Sequence, residues 1–342
     1  MKIIYTEKHN LHAPPYQFEA DRLAPYSESP ERAERILRAL RDDGFTDIYP
    51  PRVYSSGPIL AVHDADYLHF LEHIYSAWAA HGGPESGVVP DTFAVRPLGR
   101  KPADLLKRPG YYCFDAQTPI VEKTWEAALA SAWCALTGAD LILSGESAVY
   151  ALCRPPGHHA GRDLYGGYCY LNNAAIAAVR LMTQGRVAIL DIDYHHGNGT
   201  QSIFYDSSQV FFISLHADPD RQYPFYSGFA DEQGTGKGLG FNRNFPLEPM
   251  VDGDRYLAVL EQAMAHIAEF SPEYLIVSAG TDTYQNDPLS DLNLPAGAFS
   301  RIGERIARAG LPTLLVQEGG YNVEELGTCA VNLLRGFGEN SA

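Results

Sequence analysis

Cysteine is scarce in this chain: five in 342 residues, at Cys113, Cys134, Cys153, Cys169 and Cys329. The number is odd and no C-x-x-C spacing occurs, which leaves no basis for a disulfide framework and leads us to expect a reducing, cytoplasmic setting. Positive charge is also short, with 26 Lys and Arg against 42 Asp and Glu, a net charge of −16. Non-specific nucleic-acid binding is therefore not expected. A cationic partner suits this surface, although bulk acidity also serves solubility alone. No apolar run of membrane-spanning length is apparent, so no membrane partner is expected. Residues 1–5 are too short for the core of a targeting segment and read as a first strand. Internal repeats and low-complexity tracts are absent as well.

What remains is a chain that is 45% hydrophobic, enough to bury a large core. Apolar runs predict strands over 1–5, 148–153, 187–191, 210–215, 274–278 and 313–316. Between them, helical periodicity predicts helices from Ser29-Pro30-Glu31 to Gly44, and over 124–138, 173–185, 256–270, 299–310 and 324–337. Strand-then-helix alternation means a parallel sheet covered on both faces, here as a single domain over residues 1–342. One stretch, 82–123, breaks the alternation. It is loop-rich, carries the basic run 96–108 and several aromatics, and reads as a functional insertion.

The richest segment is 186–200, RVAILDIDYHHGNGT. Its apolar run Val187-Ala188-Ile189-Leu190 leads into Asp191, Asp193 and His195. In extended chain these three share a face, and they lie at the carboxyl end of a strand, where open α/β sheets bind ligands. Three other strand tails reach the same edge: 153–159 with His158 and His159, 278–282 with Asp282, and 317–321 with Tyr321. Asp193, His195 and Asp282 together offer three protein ligands, a set suited to a catalytic metal with an open position. Zinc, iron(II), cobalt and manganese all accept such donors. Each residue taken singly also reads as structural: a loop histidine, a hydrogen-bonded pair, a turn cap, a packing tyrosine.

RPPGHH at 154–159, GGYCYLNN at 166–173, DIDYHHGNGTQ at 191–201, SLH at 214–216, GTD at 280–282 and EGGY at 318–321 resemble, in order, the histone deacetylase family. Within it the chain is most similar to the bacterial acetylpolyamine amidohydrolases, over nearly its whole length. The resemblance implies the arginase/deacetylase α/β fold, an eight-stranded parallel sheet flanked by helices, and zinc-dependent hydrolysis of an acetylated amine. It implies His159 as general base and then acid, oriented by Asn198, with His158 acting electrostatically and oriented by Asp191. Tyr321 would hydrogen-bond the oxyanion, and Gly167, Tyr168 and Tyr223, helped by Phe225 and Tyr226, would line a narrow substrate tunnel. Asp191 and Ser214 resemble ligands of a structural potassium ion, Phe204, Ser207 and Val210 those of a second. Arg32 resembles an arginine lining an internal channel, or else pairs on the surface. His63, His196 and His216 carry no role beyond hydrogen bonding.

The resemblance further implies that the 82–123 insertion builds a homodimer and an entrance open to slender substrates: acetylputrescine, acetylcadaverine or acetylspermidine. Acids to meet their ammonium groups are sparse there. Leu106 and Gln117 occupy the first positions to inspect, and Asp104 and Asp115 lie nearby. Acyl-lysine on peptides is the alternative substrate. A ureohydrolase of related fold would need more bridging aspartates and histidines near 191–195 and has no use for Tyr321. A silent binding protein has no need of the ligand set and the tyrosine together.

Overall fold

Short, wholly apolar strands dictate the architecture, because both of their faces must be covered. The computed structural model describes residues 1–19 and 22–339; positions 20, 21 and 340–342 of the expected domain lie outside the described residues. The strands are β1 (Lys2–Ile4), β2 (Tyr16–Glu19), β3 (Arg22–Pro25), β4 (Ile48–Tyr49), β5 (Ala148–Ala151), β6 (Val187–Asp191), β7 (Val210–Ala217), β8 (Asn242–Leu247), β9 (Tyr274–Ala279) and β10 (Thr313–Gln317). Eight of them form one sheet in the order β4-β1-β5-β10-β9-β6-β7-β8, and β2 and β3 pair as a separate antiparallel ribbon. Every pairing in the large sheet is parallel.

Alternate strand residues feed two cores. Ala188, Leu190 and Leu315 point to the face packed by helices Glu31–Asp42, Gly253–Phe270, Ala298–Ala307 and Leu326–Gly338. Ile189, Leu314 and Val316 point to the face packed by Ala65–Ala80, Thr124–Leu143 and Asn173–Leu181. The chain passes from β5 on one side to β6 on the other and fills the gap later with β9 and β10. The four central strands β5, β10, β9 and β6 therefore deliver their tails side by side, at the crossover point where α/β sheets place ligands.

Several sequence expectations need correction. The Thr124–Leu143 helix does not stop at Gly138. That glycine lies inside it because a Cβ there would sit 2.4 Å from Leu314 Cδ1. This helix is also long and apolar enough to cross a membrane, contrary to the reading that no such stretch exists. Its apolar window is 67% buried within the fold, the mark of a core helix. Ser29 makes no side-chain cap; Pro30 occupies the cap position of its helix without one. The Asn173–Leu181 and Ala298–Ala307 helices end before the glycines expected to stop them. The 82–123 stretch is loop-rich as expected, with a 3-10 turn at Leu105–Lys107 and one helical turn at Pro109–Tyr112.

Candidate active site

β6 ends at Asp191, and its Oδ1 accepts from the Asp193 amide at 3.1 Å, curling the chain so that Asp193 and His195 follow on one side. Asp282 arrives from the tail of β9. The ligating atoms of Asp193, His195 and Asp282 all lie within 4.8 Å of one another. His195 Nδ1 is 3.4 Å from Asp193 Oδ1 and 3.2 Å from Asp282 Oδ2. The remaining carboxylate oxygens are held by backbone: Gly319 N–H donates to Asp193 Oδ2 at 2.7 Å, and Tyr194 N–H to Asp282 Oδ1 at 2.9 Å. Glycine is required around them, because a Cβ on Gly280 would fall 2.2 Å from Asp193 Oδ2 and one on Gly319 2.3 Å from Asp282 Oδ2.

Electrostatically this is an anionic pocket. Burial, and then the charge of Asp193, push the Asp282 carboxyl up. Burial works the same way on Asp193, but the charges of His158 and His195 outweigh it and hold that carboxyl well below its usual range. Two buried carboxylates and one imidazole, their donor atoms converging, fit a divalent cation in charge and in ligand type. Among the described residues, His158, Cys169 and Glu318 form a second close group. Glu318 Oε2 there already accepts from the Gly157 and His158 amides.

The histidine pair follows β5. His158 Nδ1–H donates to Asp191 Oδ2 at 3.0 Å, and His159 Nδ1–H to Asn198 Oδ1 at 2.7 Å. The two rings lie 4.1 Å apart between centroids, yet their environments differ. Burial opposes protonation of His158, but the Asp193 and Asp191 carboxylates override it and push the imidazole up to about 10. His159 has only a neutral amide as partner, so burial, followed by the charges of His158 and His195, drives it well below 6.5. With Nδ1–H committed to Asn198, its Nε2 lone pair is free.

A cavity of about 230 Å³ opens above these groups, lined by His159, Gly167, Tyr168, His195, Tyr223 and Tyr321 together with Gln117, Gln222, Phe225 and Leu289. Gly167 has φ +55°, and a Cβ on it would collide with the His159 ring at 2.2 Å. Tyr168 adopts φ +66°, an uncommon conformation for a non-glycine residue at the wall of a site. Tyr321 is 9% exposed, with its ring 5.7 Å from that of Tyr168. Burial keeps its phenol protonated, far above 10.

Other expected residues are placed less simply. Tyr226 is exposed and lines an adjoining surface groove rather than this cavity. Asp115 faces the site, but its carboxylate is committed to Gly167 N–H at 2.6 Å, the Tyr223 hydroxyl at 2.9 Å and Gln117 N–H at 3.0 Å. Asp104 caps the turn at Leu105–Lys107 away from the cavity, and Leu106 packs on the core. Ser214 pairs in register with Asp191, and its Oγ meets His216 Nδ1 at 2.8 Å. The Phe204 carbonyl accepts from Ser207 N–H, and Val210 begins β7.

His63 accepts from the Asn172 amide, His196 meets Gln201, and His216 reaches the Gly228 carbonyl. Arg32 is buried rather than paired on the surface. It donates to the Gly320 and Glu318 carbonyls and to Glu28, and lies 4.8 Å from the Tyr321 ring centre. Sequence reasoning missed Gln222 and Leu289 on the cavity wall and gave no role to Glu318 or Asp287.

The histone deacetylase domain matches residues 26–337. The chain is 45% identical to acetylpolyamine amidohydrolase 1 of Pseudomonas aeruginosa, covering 98% of this chain and 99% of that protein. It is 44% identical to the acetylpolyamine amidohydrolase of Mycoplana ramosa, with 98% and 99% covered. The crystal structure of the acetylpolyamine aminohydrolase from Burkholderia pseudomallei superposes with a TM-score of 0.94 at 40% identity, covering 99% of this chain and 98% of that one.

Proposed function

From the premise that this chain belongs to the histone deacetylase family and is a deacetylase, we propose that it hydrolyses small acetylated polyamines, using zinc at Asp193, His195 and Asp282. The observation that carries this reading is the convergence of a three-ligand set, a neutral His159 and the Tyr321 phenol on one narrow cavity walled by aromatic rings. When bound, such an ion lowers the pKa of water toward ~7 and polarises a carbonyl; iron(II) or cobalt suits the same donors.

The chain's own groups supply the rest. His159 Nε2 takes the proton of the attacking water and returns it to the departing amine, while Asn198 fixes the tautomer. His158, held toward Asp191, contributes positive charge next to the reacting centre. Tyr321 donates to the oxygen that becomes negative, and that oxygen needs the donor more in the transition state than in the substrate. Gly167, Tyr168 and Tyr223 wall a slot that accepts an aliphatic chain and has no room for a folded protein.

The same reading assigns potassium to the region of Asp191 and Ser214, supported by their register pairing. It assigns a homodimer contact to the exposed part of the insertion, where Val95 and Leu98 stand in solvent. A cytoplasmic setting accords with five free, buried cysteines.

Acetate release measured before chelation, after it, and after zinc is restored tests the proposal. N-acetylputrescine, N-acetylcadaverine and acetylspermidine are compared with an acetyl-lysine peptide. Loss on chelation, recovery with zinc and preference for the small amines are expected, and Tyr321→Phe is expected to lose ~10²–10³ in kcat. Preference for the peptide moves the function to lysine deacylation, and full turnover in the chelated protein removes the metal.

A further inference from the structure

Asp287 lies five residues beyond the metal-site Asp282, in the loop that leaves β9, and is 5% exposed. A buried carboxylate is costly unless its oxygens are hydrogen-bonded. Here the groups that meet it are backbone amides. Oδ1 accepts from Leu289 N–H at 3.0 Å, an Asx turn that shapes its own loop. Oδ2 reaches across to a different segment, accepting from Tyr321 N–H at 2.6 Å and Asn322 N–H at 3.0 Å. The two residues whose amides it holds at opposite ends, Leu289 and Tyr321, both line the cavity.

From the other side, Arg32 donates to the carbonyls of Glu318 and Gly320. The EGGY segment, which two glycines leave flexible, is thus clamped by a buried carboxyl group on the N–H groups of Tyr321 and the adjoining Asn322 and by a guanidinium on its C=O groups. Tyr321 needs that clamp. Its phenol must meet an oxyanion within hydrogen-bonding range, and a misplacement of about 1 Å can cost ~10² in rate.

We propose that Asp287 is a positioning residue for the deacetylation reaction, fixing the backbone of Tyr321 so that its hydroxyl meets the developing oxyanion. The inference rests on the assignment of Tyr321 as oxyanion donor. Because the clamp acts on a group needed mainly in the transition state, it governs kcat more than KM.

The test is a double-mutant cycle on kcat with N-acetylputrescine. Asp287→Ala is expected to lower kcat by about 10- to 100-fold, with KM changed by less than about threefold. In the Tyr321→Phe background the same substitution is expected to cost less than about threefold, because the hydroxyl it positions is already gone. Asp287→Asn keeps one acceptor oxygen and should recover part of the loss. It enters the same cycle should the alanine variant fail to fold.

An equal factor for Asp287 variants in both backgrounds, or a loss confined to KM, overturns the role of Asp287. Wild-type turnover in Tyr321→Phe overturns instead the donor assignment on which the inference rests, whatever Asp287 does.

Discussion

His63 shows how a single buried side chain sets the pH limits of the fold. Its Nε2 accepts from the Asn172 amide at 2.9 Å, just before the Asn173–Leu181 helix, and the ring is 1% exposed. Burial lowers its pKa from 6.5 to about 4. Between those values the unfolded chain binds a proton that the folded chain refuses. The stabilisation is therefore complete above pH 6.5 and is lost as pH falls toward 4, at roughly 1.4 kcal/mol per pH unit. His216, also lowered to about 4 by burial, adds to the same acid slope. Thermal melts across that window are expected to fall steeply for the native chain and less steeply for His63→Gln, whose amide oxygen still accepts from Asn172. Identical slopes would rule out His63 as a source. The residues that sequence revealed were those whose chemistry is local: Asp191, Asp193 and His195 alternate at the end of one strand and in the tail beyond it, and His158 and His159 are adjacent. Asp287 and Glu318 escaped because the contacts that tie them to the site are backbone amides far along the chain, Tyr321 and Asn322 for one and Gly157 and His158 for the other, which leave no mark in residue type. Asp115 was noticed for its charge, but only the fold shows that charge committed to Gly167 and Tyr223.

Elements were legible where they are apolar and central, and obscure at the edges. β6, β9 and β10 stand out as hydrophobic runs because both faces are buried. β8, at the end of the sheet, reads Asn-Arg-Asn-Phe-Pro-Leu, and its Pro246 is tolerated in an edge strand. β4 has only two residues and carries no periodicity at all. Gly138 misled as a helix stop because close packing against Leu314, not turning, explains it, and two other helical glycines have the same cause. Gly303 and Gly336 lie where the Ala298–Ala307 and Leu326–Gly338 helices cross. A Cβ on Gly303 would fall 2.1 Å from the Leu333 carbonyl oxygen, and one on Gly336 1.9 Å from that of Ser300. Backbone atoms cannot swing aside, so Gly303→Ala is expected to destabilise by about 1–3 kcal/mol. Gly297, at the start of the first of these helices, has φ −66° and open space at its Cβ position. Gly297→Ala is expected to leave stability unchanged or raise it by up to about 1 kcal/mol. Calorimetry on the two variants checks the contrast; similar melting points would mean that the helix crossing adjusts freely. Neither residue lines the cavity, so turnover of folded protein is expected to hold in each.

At the scale of the whole molecule, the question is how a cavity with no Asp or Glu in its lining would draw in the cationic substrate proposed for it. The nearest acid of the insertion, Asp115, is spent on the architecture of the tunnel. Two sources of attraction remain. Aromatic walls attract an ammonium group at short range, by roughly 0.5–2 kcal/mol. The net charge of −16 acts at long range and is screened beyond about 8 Å at physiological ionic strength. Salt separates the two, because it screens the field and hardly affects contact with a ring face. If the field steers the substrate, kcat/KM is expected to fall with added salt in proportion to substrate charge: most for an acetylspermidine with two free amines, less for N-acetylputrescine with one, and not at all for neutral N-butylacetamide. The preference for cations that survives at high salt then measures the aromatic walls. Equal slopes for the three substrates would show that the acidic surface serves solubility alone, and that selectivity resides entirely in Tyr168, Tyr223 and Phe225.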